Sequence, residues 1–236
     1  MMTELMLAVV LGSGPVAPEI QDYTQKGLRD ATFVAKKVKA SQKELREIND
    51  DFGTTYRFDR IQFQYKEPLK LRLEAQVDET SAVYIIDGPQ QMIKVPRLRV
   101  NTKQDLAKSP GRRQTPLDFG VLTPALFKDL FQAKFVRMDR ATGDAVFDLT
   151  YQNTDDTSRH RIWVDVEKGV TTKREWYNQP GRQLATFIYE SPKSFGGVWI
   201  PTQVSVKNVN NVVAGITRYE SVKVNTGLGD NLFLMK

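Results

Sequence analysis

The residue best suited to acid–base chemistry in this 236-residue chain is its single histidine, His160, which stands between Arg159 and Arg161 at the start of an alternating stretch. An imidazole works as a general acid or base only when a second group is held against it. None stands beside His160 in sequence, so the expected place for it is an exposed strand end. A metal would need an all-oxygen shell, because the chain has one histidine and no cysteine. The acidic run NTDDT at 153–157 is too short and unspaced for a calcium loop. HExxH, GxSxG and P-loop patterns are absent, and GLGDNL at 227–232 lacks the last glycine of a dinucleotide-binding turn. Paired carboxylates acting on a glycoside remain open, since 28 acidic residues offer many pairs and sequence cannot show which of them face each other. The expectation is therefore a protein with no catalytic residue, no metal and no cofactor, in which binding is the activity. A carbohydrate-active enzyme stands as the weaker alternative.

With 40% apolar and 26% charged residues the chain can bury one ordinary core. The division expected is a leader or frayed segment at 1–18 and a single domain over 19–236. LMLAVVLGSGPVA at 5–17 reads as an apolar run ending in small residues, as before a signal cleavage site, although Glu4 occupies the place of a basic flank. Export, to the periplasm or beyond, follows as the expectation. No run approaches the roughly 18 apolar residues of a membrane-spanning helix. The net charge of +6 is spread through alternating segments, which predicts a solvated sheet face. A basic helix or an RNP-like aromatic signature is missing, so no nucleic-acid partner is expected.

Period-two alternation dominates the chain and defines what must hold any site in place. ATFVAKKVKAS at 31–41 reads as a strand after a short helix within 18–30. YRFDRIQFQYK and LKLRLEAQ read as two half-buried antiparallel strands, and AVYIIDG continues the sheet. The charged QKELREINDDFGTT between them reads as an exposed connection or hairpin tip. From Pro96 to Pro116 the pattern stops in a long basic loop. A helix is predicted over 123–133, with Thr123 as N-cap, Pro124 at its first position, and Leu126, Phe127, Leu130 and Phe131 on one stripe. It either closes the core or covers a cavity as a lid; periodicity does not decide between them. The rest is a meander of seven strands from Phe135 to Val224, punctuated by turn signals at TGD, EKG, QPG and FGG.

Two of the three tryptophans lie in the hairpin RIWVDVEKGVTTKREWYNQPG at 161–181, and Trp199 follows it. A left-handed Gly169 in a three-residue loop sets Val166 opposite Val170, Ile162 opposite Arg174 and Arg161 opposite Glu175, whereas a two-residue Lys168-Gly169 loop would shift the register and flip one arm. In the first register Ile162, Val164, Val166, Val170 and Trp176 share one face, and Trp163 lies on the other with Asp165. Large apolar groups on both faces imply covering on one and a greasy ligand on the other.

The succession FQYKEPLKLRLE, IIDG, RIWVDVEKGVTTKREWYNQPG, GGVWIPTQVSV and YESVKVNTGLGDNLF resembles the LolA superfamily of periplasmic lipoprotein carriers, which includes LolB and RseB-like domains. The resemblance runs from about residue 20 to the C-terminus. It implies a mainly β fold: an open antiparallel half-barrel with helices covering its concave face around an apolar cavity. The ligand implied is a lipid or a lipoprotein acyl chain, with a membrane-bound donor or acceptor protein as partner. An RseB-like sensor or protein-interaction domain is the alternative. Residues placed on the cavity by this reading are Phe63, Tyr65, Leu71, Leu73, Trp163, Trp176 and Trp199, with the 123–133 helix as lid. The family's lid-latching arginine would be Arg57 or Arg60.

Overall fold

The computed structural model describes residues 17–77 and 80–236, so the expected leader lies almost wholly outside them. In chain order the elements are β1 (Asp30–Ala40), α1 (Gln42–Ile48), α2 (Asp50–Thr55), β2 (Arg60–Lys66), β3 (Lys70–Val77), β4 (Thr80–Asp87), β5 (Gln90–Val95) and β6 (Val100–Asp105). There follow α3 (Pro124–Asp129), β7 (Phe131–Met138), β8 (Ala145–Tyr151), β9 (Arg159–Asp165), β10 (Val170–Tyr177) and β11 (Gln183–Glu190). The last are β12 (Lys193–Phe195), β13 (Val198–Ile200), β14 (Gln203–Lys207) and β15 (Val213–Val224). Thirteen strands form one antiparallel sheet in the order β6-β5-β4-β3-β2-β1-β15-β14-β11-β10-β9-β8-β7, and β12 and β13 pair separately. The expected mainly β, open half-barrel is what the chain forms: a sheet of this width curls to cover its own apolar face, and here it does so without closing.

Alternation builds that face directly. Phe63 pairs with Leu73 and Tyr65 with Leu71 across β2 and β3, which puts all four on the inner side. Phe33 of β1 stacks on Phe63 with ring centroids 4.0 Å apart, and on Tyr219 of β15 at 4.5 Å. A second core cluster joins α3 to β7, β8 and β9 through Leu126, Phe131, Phe147 and Ile162. A third forms on the outer side, where Phe233 of the C-terminal turn covers Ile85 and Met92.

The hairpin of β9 and β10 holds the expected pairs, Ile162 with Arg174 and Arg161 with Glu175. Its loop is longer than expected: Asp165 pairs with Val170, and a bulge between Thr171 and Lys173 absorbs the extra residue. Gly169 is left-handed at φ +62, and a β-carbon there would stand 2.5 Å from the Tyr23 carbonyl oxygen, so only glycine fits.

Four expectations are corrected. The charged segment after β1 is helical rather than an open connection: Ser41 and Asn49 accept from the amides of Glu44 and Phe52, and Leu45 and Ile48 are buried. Its serine followed three residues later by Glu44 is a capping-box signature, and Leu45, Ile48 and Phe52 recur at helical spacing. The segment 96–116 contains β6, which pairs with β5 along its whole length. It went unread because an exposed edge strand needs no alternation. The helix expected over 123–133 stops at Asp129, and Phe131 already belongs to β7. The helix expected within 18–30 is a single 3-10 turn, Ile20–Tyr23.

Two strands consecutive in sequence, β6 and β7, are the opposite edges of the sheet. The chain between them must therefore run from one edge to the other. It crosses the concave side, because Phe119 lies 4.4 Å from the Phe63 ring and 5.6 Å from that of Phe33, at the middle of the sheet.

Candidate functional site

Between the concave face and this crossing segment lies a cavity of about 630 Å³. Its apolar wall comes from Phe52 of α2, Ile61 and Phe63 of β2, Leu73 of β3, Trp176 of β10 and Phe187 of β11. Phe52 reaches it because the Asn49 cap turns α2 inward, with its ring 6.1 Å from Trp176 and 5.9 Å from Phe187. Phe119 closes it from the crossing segment.

The remainder of the lining is polar. Arg174 is buried, its side chain only 4% exposed, with Nη1 2.8 Å from Asp118 Oδ1 and its guanidinium 4.0 Å from the centre of the Phe187 ring. Asp118 is fixed in turn by the Thr115 amide, which donates to Oδ2 at 2.7 Å. Beside the pair, the Tyr189 hydroxyl donates to the Leu117 carbonyl at 3.0 Å. Gly120, at φ +79, sits so close to the Tyr189 ring that a β-carbon would stand 2.6 Å from it. The crossing segment is thus pinned onto β10 and β11 by an ion pair, a hydroxyl, a close backbone approach and a backbone bridge in which the Thr171 amide donates to the Gly120 carbonyl at 3.2 Å.

His160 is buried and faces the cavity, not exposed at a strand end as expected. Its Nε2 lies 3.1 Å from the Tyr151 hydroxyl, and Nδ1 has no protein partner. Burial, and then the positive charge of Arg174, hold its imidazole well below the usual range. Burial likewise raises the phenols of Tyr151, Tyr189 and Tyr219. The ring pair at His160 is therefore neutral at ordinary pH, a poor proton relay and a good polar surface. Among the described residues no three His, Asp or Glu side chains are grouped to hold a metal ion.

Of the residues placed on the cavity by sequence, Phe63, Leu73 and Trp176 line it. Tyr65 and Leu71 are buried on the same face but beyond its edge, and the Tyr65 hydroxyl lies 3.2 Å from that of Thr123. Trp163 is on the outer face, with Nε1 donating to Asp139 at 3.0 Å and Lys173 Nζ 4.0 Å from its ring centre. Trp199 belongs to the small β12–β13 hairpin, its amide bonded to Gln25 Oε1. Leu126, Phe127, Leu130 and Phe131 are all buried in the second core cluster, and of these only Phe131 touches the cavity. Arg57 and Arg60 lie outside it; Arg60 pairs with Glu220 at 3.1 Å. The cavity residues not foreseen include Phe52, Phe119, Phe187, Asp118, Arg113 and Arg174. Arg174 carried a signal: the hairpin register places a lone charge opposite Ile162 on the apolar face, where only a partner could make it tolerable.

Fold and site together define an open antiparallel half-barrel whose concave face is bridged by its own chain around an amphipathic cavity. This is the fold of the LolA superfamily. A superfamily member from Nitrosomonas europaea aligns over 91% of this chain and 94% of its own, with a TM-score of 0.57 and 15% identity. An outer membrane lipoprotein-sorting protein domain from Vibrio parahaemolyticus aligns over 91% and 92%, at 0.61 and 13%. A DUF1329 family protein from Desulfovibrio piger does so over 91% and 92%, at 0.60 and 11%. A family described as uncharacterized protein matches residues 125–236. No curated protein matches the chain.

Proposed function

We propose that the protein is an exported carrier that holds the acyl chain of a lipid or lipoprotein non-covalently between its concave face and the crossing segment. The observation that carries this reading is the ring of Phe52, Phe63, Phe119, Trp176 and Phe187 around a cavity of about 630 Å³. A methylene occupies about the space of a water molecule, roughly 30 Å³. One long chain fits. Each methylene taken from water contributes about 0.8 kcal/mol, so a dozen offset the cost of association and ordering. The chemistry is burial rather than bond making, and a neutral imidazole beside a neutral phenol suits that role. Residues 106–130 are the cover in this reading, with Phe119 as its inner surface and α3 as its anchored end. Release then requires a membrane-bound acceptor or displacement of this cover. The similarity of the fold to a lipoprotein-sorting domain and the apolar stretch at 5–17 support the carrier reading and the exported location.

Native mass spectrometry of protein purified from an exporting host tests it. A co-purified lipid, displaced by a fluorescent fatty acid, is the expected result. A ligand-free spectrum together with no uptake of the fluorescent acid overturns the carrier reading.

A further inference from the structure

The cavity lining is electrostatically one-sided. It holds three arginines, Arg112, Arg113 and Arg174, against one carboxylate, Asp118, for a net of 3 − 1 = +2. Asp118 is committed to Arg174. Arg113 has no acidic partner within salt-bridge distance among the described residues; its Nη1 donates to the Gly88 carbonyl at 3.2 Å, and its buried Nε has no partner. The nearby acids are satisfied elsewhere. Asp105 accepts from Gln90 and the Ala107 amide, and Asp156 from Ser158, Gln179 and the Gly111 amide.

The polar groups also share one part of the cavity. The crossing segment spans the gap between the two arms of the curled sheet here: the Gly111 amide reaches Asp156 at 3.1 Å on one arm, and the Gln114 amide reaches the Tyr84 hydroxyl at 3.3 Å on the other. Around this bridge stand Arg113, Gln114, Tyr151 and His160; Trp176 pairs with His160 across β9 and β10 and lies 6.1 Å from Phe52, so the polar and apolar linings meet at that pair. Arg113 Nε, Arg174 Nε, His160 Nδ1, Gln114 Oε1 and the Tyr219 hydroxyl are all buried without a protein partner. Buried polar groups are almost always satisfied, and four of these five can donate.

Resting on the carrier reading above, we propose that the ligand is a single-chain carboxylate amphiphile, a free fatty acid in chemical class. Its head is held by Arg113, a lining cation without an acidic partner among the described residues, and its tail lies along the apolar wall of Phe52, Phe63 and Phe119. A planar carboxylate matches the guanidinium fork. A cavity of about 630 Å³ accommodates about one long chain and a small head at roughly 30 Å³ per group.

The test is calorimetric titration of the full chain at about pH 8 with tetradecanoate, tetradecanol and tetradecyl phosphate. Tetradecanoate is expected to bind about tenfold or more tighter than the alcohol, the usual effect of hydrogen bonds to a charged group, and tighter than the phosphate. Arg113→Gln should collapse the ratio of acid to alcohol affinity toward one, and Arg113→Lys should restore part of it. Equal affinities for acid and alcohol, or a ratio unchanged in Arg113→Gln, overturn the head assignment while leaving the carrier reading standing. A phosphate preference overturns the carboxylate class. Failure of all three ligands to bind removes the carrier reading itself and this inference with it. Arg113 is half-buried and holds no ion pair among the described residues, so its variants should fold; should Arg113→Gln not, the wild-type ratio of acid to alcohol still decides.

Discussion

Arg174 on β10 and Asp118 on the crossing segment meet at 2.8 Å, with the guanidinium almost wholly out of water. The pair joins a strand near one edge of the sheet to the chain that bridges its concave face. A buried pair of this kind contributes little relative to apolar replacements, but losing one partner strands the other. Asp118→Asn is therefore expected to cost about 3–5 kcal/mol in urea unfolding, and Asp118→Leu with Arg174→Met to recover most of it. A loss under about 1 kcal/mol in the single variant, the size of an exposed pair, would show that the two do not hold the bridge.

The tryptophans separate cleanly by position. Trp176 lines the cavity, Trp163 lies on the outer face and Trp199 in the small hairpin. Loading with tetradecanoate should change emission in the wild type and in Trp163→Phe, and should leave Trp176→Phe unchanged. Persistence of the change in Trp176→Phe would place the ligand elsewhere.

His160 gives stability a pH dependence. In the unfolded chain its imidazole titrates near 6.5; in the folded protein burial, then Arg174, hold it well below that. Below about pH 6.5 the unfolded chain takes up a proton that the folded one refuses, so stability falls as pH drops and is intact above that window. The thermal midpoint of wild type should fall more than that of His160→Gln between about pH 7.5 and 5.5. Equal falls would mean that His160 is protonated in the folded state.

Phe127 and Phe52 test which apolar residues serve the core and which serve the ligand. Phe127 is buried in the second cluster away from the cavity, so Phe127→Ala should cost about 3–5 kcal/mol. Phe52 is half-buried on the cavity wall, so Phe52→Ser should cost less and weaken uptake of a fluorescent fatty acid. If Phe127→Ser instead weakens uptake at little cost in stability, α3 is a movable lid.

Local pattern was enough to reveal most of the strands, though not the exposed edge strand β6 or the short β12. Phe63, Tyr65, Leu71 and Leu73 alternate because one face of each strand is wet, and that period survives in sequence whatever the strand order. The β9–β10 pairs of Ile162 with Arg174 and Arg161 with Glu175 were also legible, since a hairpin register depends on neighbouring residues alone. The long crossing was not. Whether a breaker-rich basic stretch is a loose loop or a bridge depends on where its two ends are held, and β6 and β7 become opposite edges only when β1 pairs with β15. That pairing joins residues almost two hundred positions apart, through backbone hydrogen bonds that leave no mark on local composition. The cavity depends on it. Phe119 and Asp118 meet Phe63 and Arg174 only because the bridge is drawn across the concave face, so the sequence determined the sheet and its apolar face, and tertiary structure decided what faces the cavity.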